Sequence, residues 1–273
     1  MCFFKKTLFS SVLLGMVLLN AGTAIAQTRP AHYLSQAHSH NDYIRDNPFF
    51  KAYGLGFGSI EVDLFLVDGV LYVAHDRADI TPDRTFDKLY LEPILQRFKA
   101  SQGESIYPQN GQLQLLIDPK TEGAAILQVL TQKLTPYRDL FDVRNNSNAV
   151  KIVISGNKPD PKEWSEYDDI FYFDGDFGVN YTTNQLRRIG LFSAPLSNYS
   201  NWTGTGQLSN PDKQRITGLV DSVHRLDKKI RFWAVPDTEH AWQQWLDIGI
   251  DYINTDKPEA LSMFLGHRTW IEK

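Results

Sequence analysis

The stretch Ser59–Asp76, SIEVDLFLVDGVLYVAHD, decides the fold. It contains a predicted strand, Ser59–Val67, and a shorter satellite strand, Val70–Ala74. The first run is rich in Ile, Val and Phe, as fully buried parallel strands are. Glu61 and Asp63 are two residues apart and therefore point to one face of this strand, while the intervening apolar residues point to the other. The sequence thus predicts a buried strand that carries two carboxylates on one face.

Short β-rich runs alternate with longer amphipathic runs along the rest of the chain. The other predicted strands are Tyr33–His38, Leu113–Ile117, Val150–Ile154, Ile170–Phe173, Leu191–Ala194, Ile230–Val235 and Tyr252–Asn254. Apolar residues spaced by three or four predict helices at Phe86–Ala100, Ala124–Leu134, Ile216–Leu226 and Ala241–Ile248, and a last helix that begins at Pro258. The polar stretch Asn198–Gly206 is typical of a loop, expected over the barrel mouth.

This alternation predicts an α/β fold, a closed parallel (β/α)₈ TIM-like barrel. An open doubly wound sheet is the alternative, but no Gly-rich nucleotide loop follows the first strand. The length of 273 residues suits one barrel, and an apolar fraction of 42% is enough for its core. A net charge of −4 without a long basic run argues against nucleic acid as a partner.

The first 26 residues have the pattern of an export signal. Two lysines precede the apolar segment Leu8–Leu19, and an A-x-A cleavage site ends at Ala26. We therefore expect a signal peptide over 1–26 and a single domain over 27–273, exported to the periplasm or cell exterior without a transmembrane anchor. The only cysteine, Cys2, leaves with the signal, which excludes disulfides and thiolate nucleophiles from the mature chain.

Polar residues at the C-terminal ends of the strands form the candidate site, because barrel sites lie there. Two carboxylates on an inner face, Glu61 and Asp63, are costly to bury without a cation. Asp118 on the next strand would supply a third oxygen and Asn41 a fourth, and oxygen ligands suit Mg²⁺ or Ca²⁺. The alternative is a salt-bridged pair of carboxylates that faces a cation such as Lys120.

Histidines follow two of these strands. His38 and His40 lie at the end of the first, and His75 follows Val70–Ala74. One of the first two and His75 would form a general acid and base pair on either side of a phosphorus centre. Lys120 would contact a phosphate oxygen, or else serve as a counter-ion to the carboxylates.

Five further polar or aromatic residues lie at or near strand ends, and three of them allow two interpretations each. Ser155 and Asn157 either orient substrate or cap the next helix. Trp233 either lines the pocket or fills the barrel. Asp174 and Asp256 are more typical of loop or cap residues.

The spacing of these residues resembles known phosphodiesterases. Glu61-x-Asp63, with His75-Asp76 fourteen residues after Glu61, resembles the glycerophosphodiester phosphodiesterase motif. Asp118-Pro119-Lys120-Thr121 resembles the Asp-x-Lys-Thr run of spider-type sphingomyelinase D. All belong, with phosphoinositide-specific phospholipase C, to one superfamily built on a TIM-like barrel.

The runs at the two ends of the mature chain extend the resemblance. Ser39–Tyr43 resembles the Ser-His-Asn-x-Tyr run of phosphoinositide-specific phospholipase C, and His38–Tyr43 looks most like the "altered inheritance of mitochondria" protein group. Gly249–Pro258, GIDYINTDKP, is similar to the last strand and turn of the glycerophosphodiesterases. The His-Arg-Gly signature and its Pro-Glu-Asn-Thr continuation are absent.

The resemblance implies roles for individual residues. Glu61, Asp63 and Asp118 would be metal ligands, and His75 the second catalytic histidine. The phospholipase C match selects His40 as the first, with Asn41 as a ligand, whereas the glycerophosphodiesterase Ala-His match selects His38.

Together these observations predict a secreted, metal-dependent phosphodiesterase with Mg²⁺ or Ca²⁺ as cofactor. Its substrate would be a small glycerophosphodiester or a (lyso)phospholipid head group. Attack by a neighbouring substrate hydroxyl would give a cyclic phosphate, and attack by water would give direct hydrolysis. Two rival hypotheses are a glycosidase with Glu61 or Asp118 as acid and base, and a catalytically silent binding barrel.

Overall fold

The computed structural model describes residues 29–271, without the side chains of 268–271. The predicted signal peptide, 1–26, lies outside the described residues, and the single domain over 27–273 stays a prediction. None of the helices in the described part of the chain is long and apolar enough to cross a membrane.

Nine strands form one sheet. They are β1 (Leu34–Ser39), β2 (Phe57–Val67), β3 (Val70–Val73), β4 (Gln114–Pro119), β5 (Lys151–Ile154), β6 (Phe171–Gly175), β7 (Ile189–Pro195), β8 (Lys229–Trp233) and β9 (Ile253–Thr255). Eight of them are parallel, in the order β8-β7-β6-β5-β4-β2-β1-β9, and β3 is an antiparallel addition to β2. A single bridge between Arg231 and Tyr252 joins β8 to β9. The predicted (β/α)₈ barrel is therefore confirmed, nearly closed.

Helices follow most strands. They are α1 (Phe50–Gly54), α2 (Glu92–Ala100), α3 (Gly123–Leu134), α4 (Arg138–Phe141), α5 (Thr183–Arg188), α6 (Asn210–His224), α7 (Glu239–Ile248) and α8 (Pro258–Ile271). The predicted helix Phe86–Ala100 is divided, because Pro93 has no N–H to donate to the preceding turn. A π-helical turn, Asp87–Leu91, therefore precedes α2.

Side chains of the strands separate into two layers. Residues such as Ile60, Val62 and Leu64 are fully buried in the large core between barrel and helices. The barrel interior holds a smaller apolar cluster, which consists of Leu116, Val153 and Leu191 on three strands and of Tyr252 just before β9. Asp63 and Asp118 lie one inward-facing position further along their strands than the level of Leu116, toward the C-terminal ends.

Candidate active site

Strand register builds a ring of polar side chains at the barrel mouth. Asp63 on β2 is paired with Asp118 on β4. Ser155 follows the last paired residue of β5, and its hydroxyl donates to Asp174 on β6, 2.9 Å away. Since the side chains of these positions share the inward face, four neighbouring strands present carboxylates and a hydroxyl to one space.

Three carboxylates converge in this ring. Glu61, Asp63 and Asp118 each offer an oxygen within 4.8 Å of the others. Lys120 Nζ lies 2.8 Å from Asp118 Oδ2 and 2.9 Å from Asp63 Oδ2. Arg231 Nη1 donates to Glu61 Oε2 at 2.6 Å. Both the predicted acidic cluster and the predicted counter-ion role of Lys120 are therefore present, with three negative groups against two positive ones.

Asp63 has one carboxylate oxygen that is buried and, in the described part of the chain, unpartnered. Its side chain is buried, and Oδ1 has no hydrogen-bond partner among the described residues. Burial and the nearby charge of Glu61 raise the pKa of Asp63 to about 6, against the lowering effect of Tyr43 and Lys120. An orphaned carboxylate oxygen in an all-oxygen cluster with excess negative charge fits a hard divalent cation.

Glu61 is held by a buried arginine that the sequence analysis missed. Burial alone would raise the pKa of Glu61, but the charge of Arg231 and the hydrogen bond with His38 outweigh it, so that the pKa lies well below its usual range. Arg231 is 3% exposed and also contacts His38 and Asn254. Arg231 lies two residues before Trp233, so both side chains point to the inward face of β8. This two-residue spacing is the sequence signal from which Arg231 could have been predicted as a site residue.

His38 and His40 occupy different depths. His38 is fully buried, with Nδ1 2.8 Å from Ser59 Oγ and Nε2 2.9 Å from Glu61 Oε2. Burial, and to a smaller extent the charge of Arg231, lowers the pKa of His38 to about 4. His38 is therefore a neutral ring packed beneath the carboxylates.

His40 lies at the mouth, with its side chain 25% exposed. Its Nδ1 is 2.9 Å from Asp256 Oδ1. Burial would lower the pKa of His40, but the hydrogen bond and charge of Asp256 and the charge of Glu61 raise it overall. Asp256 lies in the loop after β9, as expected, and has a histidine as its partner.

A tyrosine connects His75 to the carboxylates. The Tyr43 hydroxyl donates to Asp63 Oδ2 at 2.6 Å and lies 3.0 Å from His75 Nδ1. His75 Nδ1 is also 3.3 Å from Asp63 Oδ2, and the side chain is 57% exposed. Asn41 is beside this group, and its Oδ1 lies 2.8 Å from the Tyr43 hydroxyl, whose proton is directed at Asp63. The assignment of Asn41 as a metal ligand therefore stays a prediction.

The other predicted substrate residues lie across the mouth. Ser155 is not a helix cap, because its hydroxyl donates to Asp174. Asn157 is exposed in the loop after β5, and Trp233 is 40% exposed at the end of β8 rather than filling the barrel. The expectation that Asp174 is a loop or cap residue is wrong, since it lies within β6 and is 4% exposed.

Comparison with protein families gives two matches. The model described as "AIM6-like phosphodiesterase domain" matches residues 32–174, more than half of the chain. The model "Glycerophosphoryl diester phosphodiesterase family" matches residues 229–259.

Curated relatives agree with the first model. Altered inheritance of mitochondria protein 6 from Eremothecium gossypii is 29% identical over 286 residues, which covers 89% of this chain and 72% of the relative. The homolog from Arthroderma benhamiae is 26% identical, over 82% of this chain and 81% of the relative.

Solved structures share the fold. Glycerophosphodiester phosphodiesterase from Agrobacterium tumefaciens superposes with a TM-score of 0.52 and 15% identity, over 84% of this chain and 100% of the other. A phosphodiesterase from Oleispira antarctica, solved with the product sn-glycerol-3-phosphate, gives 0.51 and 12% identity, over 85% and 97%. These likenesses confirm the expected barrel of the phosphodiesterase type.

Proposed function

Because the chain belongs to the AIM6-like phosphodiesterase domain family, we propose that it cleaves phosphodiester bonds with the help of a divalent cation. The observation that carries the proposal is the mouth of the barrel, where two partly exposed histidines lie beside one cluster of three carboxylates. The proposed substrates are glycerophosphodiesters or (lyso)phospholipid head groups, in keeping with the glycerophosphoryl diester phosphodiesterase match over 229–259.

His40 and His75 are the proposed acid and base. In the described part of the chain, the hydrogen bonds of both rings involve Nδ1. A carboxylate on Nδ1 favours the tautomer with its proton there, which leaves Nε2 to exchange protons with substrate. One histidine takes the proton of the attacking hydroxyl or water as its oxygen bonds to phosphorus, and the other protonates the leaving oxygen as its bond to phosphorus breaks.

Of the two candidates for the first histidine, we select His40. His38 has no exposed surface, and its low pKa keeps it neutral at physiological pH. Both of its nitrogens already contact Ser59 and Glu61. His38 is therefore proposed to position Glu61 rather than to transfer protons to substrate.

Glu61, Asp63 and Asp118 would hold Mg²⁺ or Ca²⁺. The cation, when bound, would stabilise negative charge on the phosphoryl oxygens. Lys120 lies between Asp63 and Asp118 and is 24% exposed, so its ammonium group can reach from these carboxylates toward a phosphate oxygen.

Phosphorus NMR tests the proposal directly. The purified protein is mixed with glycerophosphocholine, lysophosphatidylcholine or phosphatidylinositol, in the presence of Mg²⁺ or Ca²⁺ and then of chelator. We expect a product signal that chelator removes, and its shift separates a cyclic phosphate from an open monoester.

Histidine variants test the assigned roles. His40→Ala and His75→Ala should each lower kcat by roughly 10²–10⁴-fold, the usual contribution of general acid–base catalysis. His224→Ala is the matched control, because His224 also pairs with an aspartate, Asp251, but lies at the end of α6, outside the barrel. If the wild-type protein binds glycerophosphocholine, lysophosphatidylcholine or phosphatidylinositol but forms no product from any of them, the result would instead support the catalytically silent binding barrel.

We also propose that the protein is exported, on the evidence of the signal-like residues 1–26. Amino-terminal sequencing of the protein from the periplasm or medium should begin at Gln27. Recovery of the intact chain from the cytoplasm alone would contradict this.

A further inference from the structure

A line of hydrogen-bonded side chains leads from the carboxylate cluster into the barrel. Strand register places His38, Ser59 and Gln114 side by side on β1, β2 and β4. Ser59 Oγ lies 2.8 Å from His38 Nδ1 and accepts from Gln114 Nε2 at 3.0 Å. Because all three residues are at most 2% exposed, protein groups rather than solvent hold the side of His38 that faces away from Glu61.

Two further residues extend this line to the N-terminal end of β8. The Tyr252 hydroxyl donates to Gln114 Oε1 at the longer distance of 3.4 Å. Lys229 Nζ donates to the same hydroxyl at 3.2 Å and lies 4.8 Å from the centre of the Tyr252 ring. The five residues, here named the His38 network, thus connect an exposed lysine to a buried histidine beside the carboxylates.

The lysine determines the direction of each hydrogen bond in the His38 network. An ammonium group only donates, so the Tyr252 oxygen accepts from Lys229 and its proton is directed at Gln114. The Gln114 carbonyl oxygen is therefore the acceptor, and its amide group donates to Ser59. In the described part of the chain, the Ser59 hydroxyl has one other partner, His38 Nδ1, which accordingly accepts the Ser59 proton. His38 then carries its own proton on Nε2.

The proton on Nε2 affects how Glu61 is held. His38 Nε2 is 2.9 Å from Glu61 Oε2, and Arg231 Nη1 donates to the same oxygen at 2.6 Å. Arg231 Nη1 also contacts His38 Nε2, and this donor by itself would favour the opposite tautomer, with the proton on Nδ1. In that tautomer Glu61 would lose one of its two donors and face a nitrogen lone pair.

We propose that Ser59, Gln114 and Tyr252 are positioning residues for the cation site, because they hold His38 in the tautomer that donates to Glu61. With both donors on Oε2, Oε1 of Glu61 is left for the cation. This inference rests on the proposed function, since Glu61 is a ligand of the proposed cation site. Hydrogen bonds behind a metal ligand fix its orientation, and their loss typically lowers metal affinity about 10- to 100-fold.

Nitrogen-15 NMR of protein labelled in its histidines tests the tautomer without metal or substrate. The protonated and unprotonated nitrogens of a neutral imidazole resonate far apart, and comparison with His38→Gln assigns the His38 signals. We expect the wild-type ring to carry its proton on Nε2. Tyr252→Phe frees the Gln114 amide to turn, and Ser59→Ala removes the donor to Nδ1, so the Nδ1–H form should appear in both variants.

Titration with Mg²⁺ or Ca²⁺, followed by calorimetry, tests the effect on the cation site. Ser59→Ala should weaken cation binding about tenfold. Tyr252→Phe, two hydrogen bonds further from His38, should weaken it less. Tyr33→Phe is the matched control, because the Tyr33 hydroxyl donates to a backbone oxygen, that of Gln112, outside the His38 network. This variant should keep the wild-type tautomer and cation affinity.

Two results would overturn the proposal. One is a wild-type His38 with its proton on Nδ1. The other is an unchanged tautomer together with an unchanged cation affinity in both Ser59→Ala and Tyr252→Phe. A wild-type protein that binds neither cation would disprove the proposed cation site, whereas the tautomer of the metal-free protein would still decide the direction of the His38 network.

Discussion

At the scale of the residue, Gly156 shows how closely the mouth is packed. Its φ is +49°, and a Cβ built there would lie 1.7 Å from Asp118 Oδ1. Only glycine leaves Asp118 room to point at Asp63 and Lys120. The loop after β5 thus shapes the carboxylate cluster through the absence of a side chain.

Gly156→Ala should therefore damage the cation site more than the fold. If the cluster binds Mg²⁺ or Ca²⁺, either ion raises the melting temperature of the wild type, and Asp118 in the variant must turn away, so that this rise is reduced. Thermal unfolding with and without metal measures it. Gly178→Ala is the control, because Gly178 has a φ of +80° with open space around it. It should lose about 1 kcal/mol from backbone strain and keep the full effect of metal.

His38 makes stability depend on pH. Its pKa is about 4 in the fold, below the value of about 6.5 in an unfolded chain. As pH falls below about 6.5, the unfolded chain takes up a proton before the folded one, so the stability contributed by neutral His38 is lost toward pH 4.

A comparison with His38→Gln isolates this effect. Between pH 7 and 5 the stability advantage of the wild type over His38→Gln should shrink by about 2 kcal/mol, at about 1.4 kcal/mol per pH unit below the unfolded pKa. Urea unfolding at the two pH values measures it. A constant advantage would mean that folding leaves the pKa of His38 at its unfolded value.

At the scale of the element, α7 holds the predicted mouth loop Asn198–Gly206. Gln244 Oε1 accepts the hydrogen bond of Leu208 N at 2.8 Å, and Gln244 is 8% exposed. His240 Nε2 is 2.7 Å from Gly206 O, and the Trp202 ring lies 5.5 Å from that of Trp245. The connection between β7 and α6 is thus hydrogen-bonded to, and packed against, one face of α7.

Gln244→Ala should release this loop. It leaves the buried N–H of Leu208 without a partner, which costs about 1–3 kcal/mol and should speed hydrogen exchange across the loop. Gln243→Ala, at the partly buried neighbouring position whose amide donates to Asp247 on the same helix, should leave both the stability and the exchange of the loop close to those of the wild type. Unchanged exchange in Gln244→Ala would show that the aromatic contacts alone hold the loop.

At the scale of the whole molecule, the parallel strands close into a barrel between β8 and β9. One backbone bridge, Arg231 to Tyr252, connects these strands. The Arg231 side chain adds to it, because Nη1 contacts Glu61 on β2 and Asn254 on β9. One buried cation therefore links the last strands of the barrel to the first.

Arg231→Met should be strongly destabilising. It leaves Glu61 buried without its counter-ion, for which about 3–5 kcal/mol is typical. Denaturant unfolding measures the loss, and hydrogen exchange should rise first over 252–255. Arg215→Met, which removes an exposed ion pair with Asp212, should unfold close to the wild-type midpoint. Equal midpoints for the two variants would contradict this role of Arg231.

The sequence by itself determined the barrel fold and pointed to the polar residues that lie on β2 or directly at strand ends. Alternation along Ser59–Val67 separates Glu61 and Asp63 from the apolar core, because inward and outward positions differ in polarity, and the strand order follows from repeated strand–helix units. The sequence predicts His75, Asp118 and Lys120 as site residues because they lie directly at strand ends.

Only the tertiary structure decided which of these residues act together. Asp174 and Arg231 lie in ordinary apolar strands, and their roles depend on distant partners, such as Glu61, which is 170 residues from Arg231. The contrast between a buried His38 and an accessible His40, two residues further along the chain, depends on depth along the barrel axis. Local pattern fixes the face of a side chain, whereas burial and ion pairing arise from strands that meet only when the barrel closes.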